Sequence, residues 1–148
     1  MGSRRWSDPA IARTLAAVNR EAIVERLRSS VEGLVAVYLF GSVARGDDHP
    51  ESDVDVAVLA SRPLDAVLRW ELQERLAVAL GRDVDLVDLR AASAVLRVRV
   101  LADATLLWTS GGAGRESFEA FALADYARLN EERRGILDDV ARLGTVHG

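Results

Sequence analysis

The 148-residue chain contains no cysteine and no lysine, and aromatic residues make up only 5% of it. Without cysteine there can be no disulfide framework and no thiolate zinc site, which is typical of a protein in a reducing compartment. The 19 positive charges are scattered arginines and the net charge is −4, so the basic surface expected of a duplex-binding domain is missing. No apolar run reaches the roughly 20 residues that span a bilayer, and no secretory signal follows the first basic residues. These absences predict a cytoplasmic protein with no direct binding to nucleic acid or membrane.

What the chain does have is the size and apolar content of one folded domain. Apolar residues make up 49% of it and charged residues 28%, which is the balance of a globular protein. We therefore expect a single domain over residues 1–148, with a core at about residues 31–110 and a C-terminal helical segment at about residues 115–143.

Hydrophobic periodicity and turn residues predict an α/β fold. A first helix is expected to start at Asp8-Pro9 and continue at helical spacing to Leu27, with a possible break at Asn19. The predicted strands are Leu34–Phe40, Asp53–Leu59, Asp83–Leu89 and Ala104–Thr109, and the later predicted helices run from Pro63 to a C-cap at Gly81, from Ala91 to Leu101 and from Glu116 to Leu143. The alternation of Val and Arg within Ala91–Leu101 also permits a strand. The order of these patterns predicts a small mixed β-sheet of about four strands flanked by helices, with a C-terminal helix.

Two aspartates lie at the start of the second predicted strand. Asp53 and Asp55 are two positions apart, so on a strand their side chains point to the same side. Two carboxylates held this close repel each other unless a cation lies between them, and hard oxygen ligands of this kind suit Mg²⁺. Asp85 can add a third carboxylate if the third strand lies beside the second, although Asp83 shares its face and is an alternative.

The turn after the first predicted strand is suited to binding phosphate. Gly41-Ser42 is followed by a short helical segment that ends at Arg45, so backbone N–H groups and a hydroxyl meet at a helix start. Glycine lets the backbone come close to an anion, and Ser42 can donate a hydrogen bond to a phosphate oxygen. Arg45 offers a planar fork to the same triphosphate, although it can also be read as an ordinary surface arginine.

Together the two motifs resemble the signature of the DNA polymerase β-like nucleotidyltransferase superfamily. That signature is Gly-Ser, ten residues, then Asp-x-Asp, and Gly41-Ser42 followed by Asp53-Val54-Asp55 matches it. The Gly-Ser-x-Ala-Arg-Gly form and the later Val84–Leu89 segment resemble the minimal nucleotidyltransferase (MNT) family within it. The resemblance extends from about Leu34 to Leu89, with a looser similarity as far as Trp108.

The resemblance implies a function as well as a fold. It implies a nucleotidyltransferase that uses ATP and Mg²⁺, with two ions, in which Asp53, Asp55 and Asp85 are the catalytic and metal-binding carboxylates. Gly41, Ser42 and Arg45 would then hold the triphosphate. Many MNT proteins are antitoxins that adenylylate a tyrosine of a HEPN-type ribonuclease toxin, so the implied partner is such a toxin in a hetero-oligomer. Two alternatives stay open: an antitoxin that acts by occlusion alone, and an enzyme that modifies a small molecule, as aminoglycoside nucleotidyltransferases do.

Other polar and aromatic residues have simpler explanations. His49 and His147 are isolated and are expected to be solvated. The acidic residues between Gly46 and Ser52 are expected to form a solvated loop, although they are near enough in sequence to reach a second metal; they are Asp47, Asp48 and Glu51. The aromatic residues of the last helix are expected to be core, with a partner chain as the alternative; they are Phe118, Phe121 and Tyr126.

Overall fold

The computed structural model of the chain describes residues 19–46 and 53–147, with side chains to residue 143. The helices and strands are α1 Arg20–Ser30, β1 Leu34–Phe40, α2 Gly41–Arg45, β2 Val54–Ala60, α3 Ala66–Leu80, β3 Val84–Asp88, α4 Ala94–Asp103, β4 Thr105–Thr109 and α5 Gly114–His147. Within these residues, no helix is both long and apolar enough to cross a membrane.

The strands form one mixed sheet in the order β3-β2-β1-β4. Strand β1 is antiparallel to both of its neighbours, whereas β2 and β3 are parallel. Parallel neighbours need a crossover connection, and α3 provides it. The predicted fold class is therefore confirmed, and the conditional expectation that the third strand lies beside the second is met. The extent of the domain over all 148 residues stays a prediction.

Helices cover both faces of the sheet, so the strands are buried on two sides. On one face, α1 and α3 pack against the sheet through Ile23, Leu27, Leu72 and Leu76. On the other face, α4 and α5 pack against alternate strand residues; this second cluster comprises Ala36, Tyr38, Ala57, Leu59, Leu89, Val100, Phe118 and Ala122. Burial on both sides explains why β1 and β2 are almost continuously apolar.

Capping residues determine where three of the helices begin. The predicted starts of α3 and α4 are wrong because each helix begins after its capping residue. Asn19, predicted as a break, is the N-cap of α1. The helix predicted from Pro63 begins after Asp65, whose carboxylate accepts two backbone N–H groups of the first turn. The helix predicted from Ala91 begins after Ser93, whose hydroxyl accepts one. In each case the helix starts where a side-chain oxygen satisfies its first N–H groups.

The apolar side chains of α3 are only partly buried. Leu72 and Leu76 are buried, but Val67 is 62% exposed. Val67 precedes Leu72 by five residues, which rotates it about 140° around the helix, whereas Leu68 lies within about 40° of Leu72. The predicted C-cap, Gly81, is confirmed in the left-handed conformation, with φ of 66°.

Side chains from α3 cover the outer edge of strand β3. The Gln73 side-chain oxygen accepts from the Leu86 backbone N–H at 3.0 Å, and Arg69 donates to the Leu86 carbonyl at 3.1 Å. The contacts of Gln73 and Arg69 satisfy backbone groups that an edge strand would otherwise leave open. At the end of the same strand, the buried Asp88 carboxylate accepts the backbone N–H groups of Leu64 at 2.7 Å and Arg90 at 3.0 Å.

Helix α5 packs against the rest of the described chain through residues 114–130, its first half. Phe118 is buried, and the guanidinium groups of Arg90 and Arg97 lie 5.1 and 5.3 Å from its ring centre. The hydroxyl of Tyr38 donates to Glu119, and burial together with that carboxylate raises the pKa of Tyr38. From residue 131 to residue 143 every side chain is exposed.

The expectation that the aromatic residues of this helix are core is wrong for Phe121, which is 54% exposed. Phe121 follows Phe118 by three residues, about 60° short of a full turn, and so lies at the margin of the buried stripe. Several sequence predictions lie outside the described residues: the Asp8-Pro9 helix start, His49 and the acidic residues Asp47, Asp48 and Glu51.

Candidate active site

Asp55 and Asp85 lie side by side at one end of the sheet. They are paired in register across the parallel strands β2 and β3, so their side chains share a face. That face is the one covered by α4 and α5, because Ala57, the next residue of β2 on that side, belongs to the cluster beneath those helices. Asp53, one residue before β2, is exposed beside them. The sheet register therefore places Asp55 directly beside Asp85, and Asp53 lies near enough to act on Asp55 electrostatically.

The environment of Asp55 disfavours its ionised form. Partial burial, followed by the carboxylates of Asp85 and Asp53, raises the pKa of Asp55 from 3.8 to about 6, and the nearby Arg45 cation opposes the shift. Burial and neighbouring like charges both destabilise an ionised carboxylate. The site is thus a concentration of negative charge that a cation would relieve.

Gly41 lies against this cluster, and there is a steric reason why this residue is glycine. Its φ is 74°, a conformation that other residues rarely adopt, and a Cβ at this position would overlap the Asp55 carboxylate. Gly41 opens α2, and the preceding Phe40 provides no side-chain oxygen to the first N–H groups of that helix. Ser42 follows directly in the same turn. The predicted phosphate-binding segment and the predicted carboxylates are therefore in contact.

Arg45, at the end of α2, has a specific ionic partner. Its Nη1 donates to Oδ2 of Asp103, the last residue of α4, at 2.9 Å. Asp103 did not emerge from the sequence, because 58 positions separate it from Arg45 and no motif includes it. Only the packing of α2 against α4 brings the two together.

The other aspartates of the third strand take different positions. Asp83 precedes β3 and is exposed, and its backbone carbonyl accepts from the Val54 N–H at 2.9 Å. Asp88 lies on the opposite face from Asp85, as its spacing predicts, and is engaged by backbone N–H groups. Asp85 is therefore the acid of β3 that faces Asp55.

Comparison with known proteins agrees with this arrangement. Residues 21–111, which contain every site residue named above, match the family model described as polymerase beta, nucleotidyltransferase. The chain belongs to the polymerase beta nucleotidyltransferase family. Helix α5 lies beyond the matched residues.

Close relatives of this nucleotidyltransferase have been characterised in complexes. Over 123 residues it is 44% identical to the protein adenylyltransferase MntA of Shewanella oneidensis, a stretch that covers 83% of this chain and 88% of the relative. A crystal structure of a toxin-antitoxin with AMP-PNP contains a chain with 44% identity and a TM-score of 0.76, covering 84% of this chain and 99% of that one. A rebuilt structure of tri-AMPylated Shewanella oneidensis HEPN toxin in complex with MNT antitoxin gives 40% identity and a TM-score of 0.71, covering 86% and 99%.

The donor set of this nucleotidyltransferase is compatible with Mg²⁺ but is not a preformed metal cage. Across residues 19–46 and 53–147, no three His, Cys, Asp or Glu side chains are arranged closely enough to hold a metal ion by themselves. Mg²⁺ characteristically binds through one or two carboxylates and completes its shell with water and substrate phosphates. Asp55 and Asp85 supply ligands of that kind, and burial and the repulsion from Asp85 and Asp53 that raise the pKa of Asp55 are effects that a cation would oppose.

Proposed function

We propose that this protein is an antitoxin that transfers AMP from ATP to a tyrosine of a cognate HEPN-type toxin, with which it forms a hetero-oligomer. The observation that carries the proposal is the contact between the Gly41 turn and the in-register pair Asp55 and Asp85. It is supported by 44% identity to a protein adenylyltransferase. A cytoplasmic location, expected from the sequence, belongs to the same proposal.

The chemistry is an in-line displacement at the α-phosphorus of ATP. The tyrosine oxygen attacks, a new bond from oxygen to the α-phosphorus forms, and the bond to the β-phosphate bridge breaks, so pyrophosphate leaves. Asp85 accepts the proton of the tyrosine hydroxyl as the general base. Gly41, Ser42 and Arg45 hold the triphosphate through backbone N–H, hydroxyl and guanidinium groups.

Asp53, Asp55 and Asp85 are the residues that would hold Mg²⁺. When bound, the ions would stabilise the negative charge that develops on the transferring and leaving phosphate oxygens. A divalent cation would also offset the repulsion that raises the pKa of Asp55.

Labelling of the partner tests the proposal directly. The protein is purified with its proposed cognate HEPN-type toxin and incubated with Mg²⁺ and ATP labelled on the α-phosphate, in parallel with ATP labelled on the γ-phosphate. We expect the α-label alone to reach the toxin, and mass spectrometry should place whole AMP units on a tyrosine. Transfer of the γ-label, or no transfer to any tyrosine, would contradict the proposal.

The occlusion alternative predicts a different behaviour of the Asp53→Ala variant. If the antitoxin acts only by covering its partner, this variant should still neutralise the toxin in cells, because Asp53 is exposed and a substitution there should leave the fold intact. If the antitoxin acts by AMP transfer, neutralisation should fail even though the two proteins still copurify. Copurification without neutralisation is the result we expect.

A further inference from the structure

The ion pair between Arg45 and Asp103 joins the two helices that border the site. Arg45 ends α2 and Asp103 ends α4, and Nη1 of Arg45 lies 2.9 Å from Oδ2 of Asp103. The side chains are 47% and 41% exposed. An ion pair this exposed adds little to folding stability. We therefore ask what else the contact between Arg45 and Asp103 does.

Asp103 is also poorly placed for the stability of its own helix. The C-terminus of a helix carries partial negative charge, and a carboxylate there is unfavourable. The last turn of α4 contains no basic residue that would offset it. Replacement of Asp103 by a neutral residue should therefore leave α4 as stable as before, or more stable.

The Arg45 end of the pair reaches the candidate active site. Arg45 ends the five-residue helix α2 that Gly41 opens, and Gly41 lies against the Asp55 carboxylate. The contact with Asp103 runs through Nη1, one of the nitrogen atoms of a planar group with five N–H donors. Asp103 thus fixes one nitrogen of a guanidinium at the border of the candidate active site.

We propose that Asp103 is a positioning residue that holds the guanidinium of Arg45 in place for the triphosphate of ATP. This inference rests on the proposed function, in which Arg45 binds that triphosphate. A long arginine side chain loses rotamer freedom when it binds a ligand, and an existing contact reduces that loss. Asp103 therefore acts through Arg45 on nucleotide binding and does not touch the reacting atoms.

The test measures nucleotide affinity, turnover and stability in the same variants. We expect Asp103→Asn to raise the KM for ATP about three- to tenfold, to leave kcat within about twofold, and to leave Tm unchanged or higher. Asp103→Glu keeps the charge and should recover part of the affinity. Asp139→Asn, on the exposed half of α5, removes a comparable carboxylate from its ion pair with Arg142 and should change none of these values.

A double-variant comparison separates positioning from a general effect of charge. Arg45→Gln should raise KM, and Asp103→Asn should add nothing further in that background, because the residue it acts through is gone. Additive effects, an unchanged or lower KM in Asp103→Asn, or a fall in Tm that accompanies the loss of affinity would each overturn the proposal.

Direct titration with AMP-PNP and Mg²⁺ separates this inference from the proposed function. If the wild-type complex binds AMP-PNP but labels no tyrosine, the proposed acceptor is wrong, and a weaker Kd in Asp103→Asn still supports positioning. If the complex transfers AMP and the Kd of Asp103→Asn equals that of the wild type, the positioning role of Asp103 is wrong and the proposed function stands. If the wild type does not bind AMP-PNP, both are wrong.

Discussion

The ionised carboxylate of Asp55 is needed for the proposed metal binding but destabilises the fold when no metal is bound. Its carboxylate is partly buried beside Asp85 and Asp53, and its pKa is raised from 3.8 to about 6. Between these values the folded chain holds a proton that the unfolded chain has released. The contribution of Asp55 to the stability of the metal-free protein should therefore be greatest below about pH 4, fall as the pH rises from 4 to 6, and level off above 6.

Asp55→Asn should remove this pH dependence. In EDTA-treated protein above pH 7, we expect the variant to melt a few degrees higher than the wild type, because an amide of the same shape avoids the repulsion. Tm measured from pH 4 to pH 8 checks this, and the same variant should lose AMP transfer. Asp83→Asn is the matched control, since Asp83 is exposed at the same end of β3. A control variant with the same gain in Tm would contradict this account.

Gly41 can be compared with Gly46 at the two ends of α2. Both have positive φ, 74° and 79°, but a Cβ at Gly41 would overlap the Asp55 carboxylate, whereas no atom of residues 19–46 and 53–147 lies within 4 Å of a Cβ at Gly46. We expect Gly46→Ala to cost about 1 kcal/mol through backbone conformation alone. Gly41→Ala should cost about 2–4 kcal/mol and abolish transfer, because the carboxylate must also move. Urea unfolding and the labelling assay measure both, and equal losses in the two variants would argue against the steric contact.

The sequence predicts the role of a single residue well when that role depends on residues close to it in sequence. The spacing of Asp53 and Asp55 and their distance from Gly41 are properties of a short segment, so the motif is visible before any fold is known. Asp85 could be proposed only on condition that the third strand lies beside the second. Asp103 was not predicted at all, because its contact depends on where α4 ends in space.

Among the elements, the covered edge of β3 shows how a helix can stabilise a strand that has only one neighbour. The Gln73 side-chain oxygen takes the place of a strand carbonyl for the Leu86 N–H. Gln73→Ala should leave that N–H without its partner and cost about 1–2 kcal/mol. Glu74→Ala, on the exposed side of the same helix, should cost less than about 0.5 kcal/mol. Urea unfolding measures the loss of stability in both variants. A loss in Gln73→Ala no larger than that in Glu74→Ala would contradict this role.

The sequence predicts the boundaries of an element well where an apolar run stops abruptly at a glycine. It predicts them less well where a capping side chain determines the first residue of a helix. The limits of β1 agree with the prediction because Gly33 and Gly41 bound a continuous apolar run. The start of α3 was placed at Pro63, a residue that suits a first turn, but the Asp65 carboxylate satisfies the N–H groups there. Periodicity alone does not distinguish two nearby residues that both favour a helix start.

In the molecule as a whole, α5 divides into an anchored part and an exposed part. The helix has 34 residues, about 51 Å of length, and the sheet cannot cover all of it. Its early residues pack beside α4, whereas Ile136 and Val140, at helical spacing, are exposed further along. The sequence predicts the helix itself but not this division, because apolar residues recur at similar spacing in both parts.

The division leads to opposite expectations for two apolar substitutions in the isolated chain. Phe118→Ala should cost about 3–4 kcal/mol, since it opens a cavity beneath α4 and removes the ring that Arg90 and Arg97 contact. Ile136→Ala should stay within about 0.5 kcal/mol of the wild type, because that side chain is 64% exposed. Urea unfolding at one protein concentration measures both, and a second, lower concentration reveals any contribution from self-association. A large, concentration-independent loss for Ile136→Ala would mean that the second half of α5 packs against the chain's own body, contrary to the fold described above.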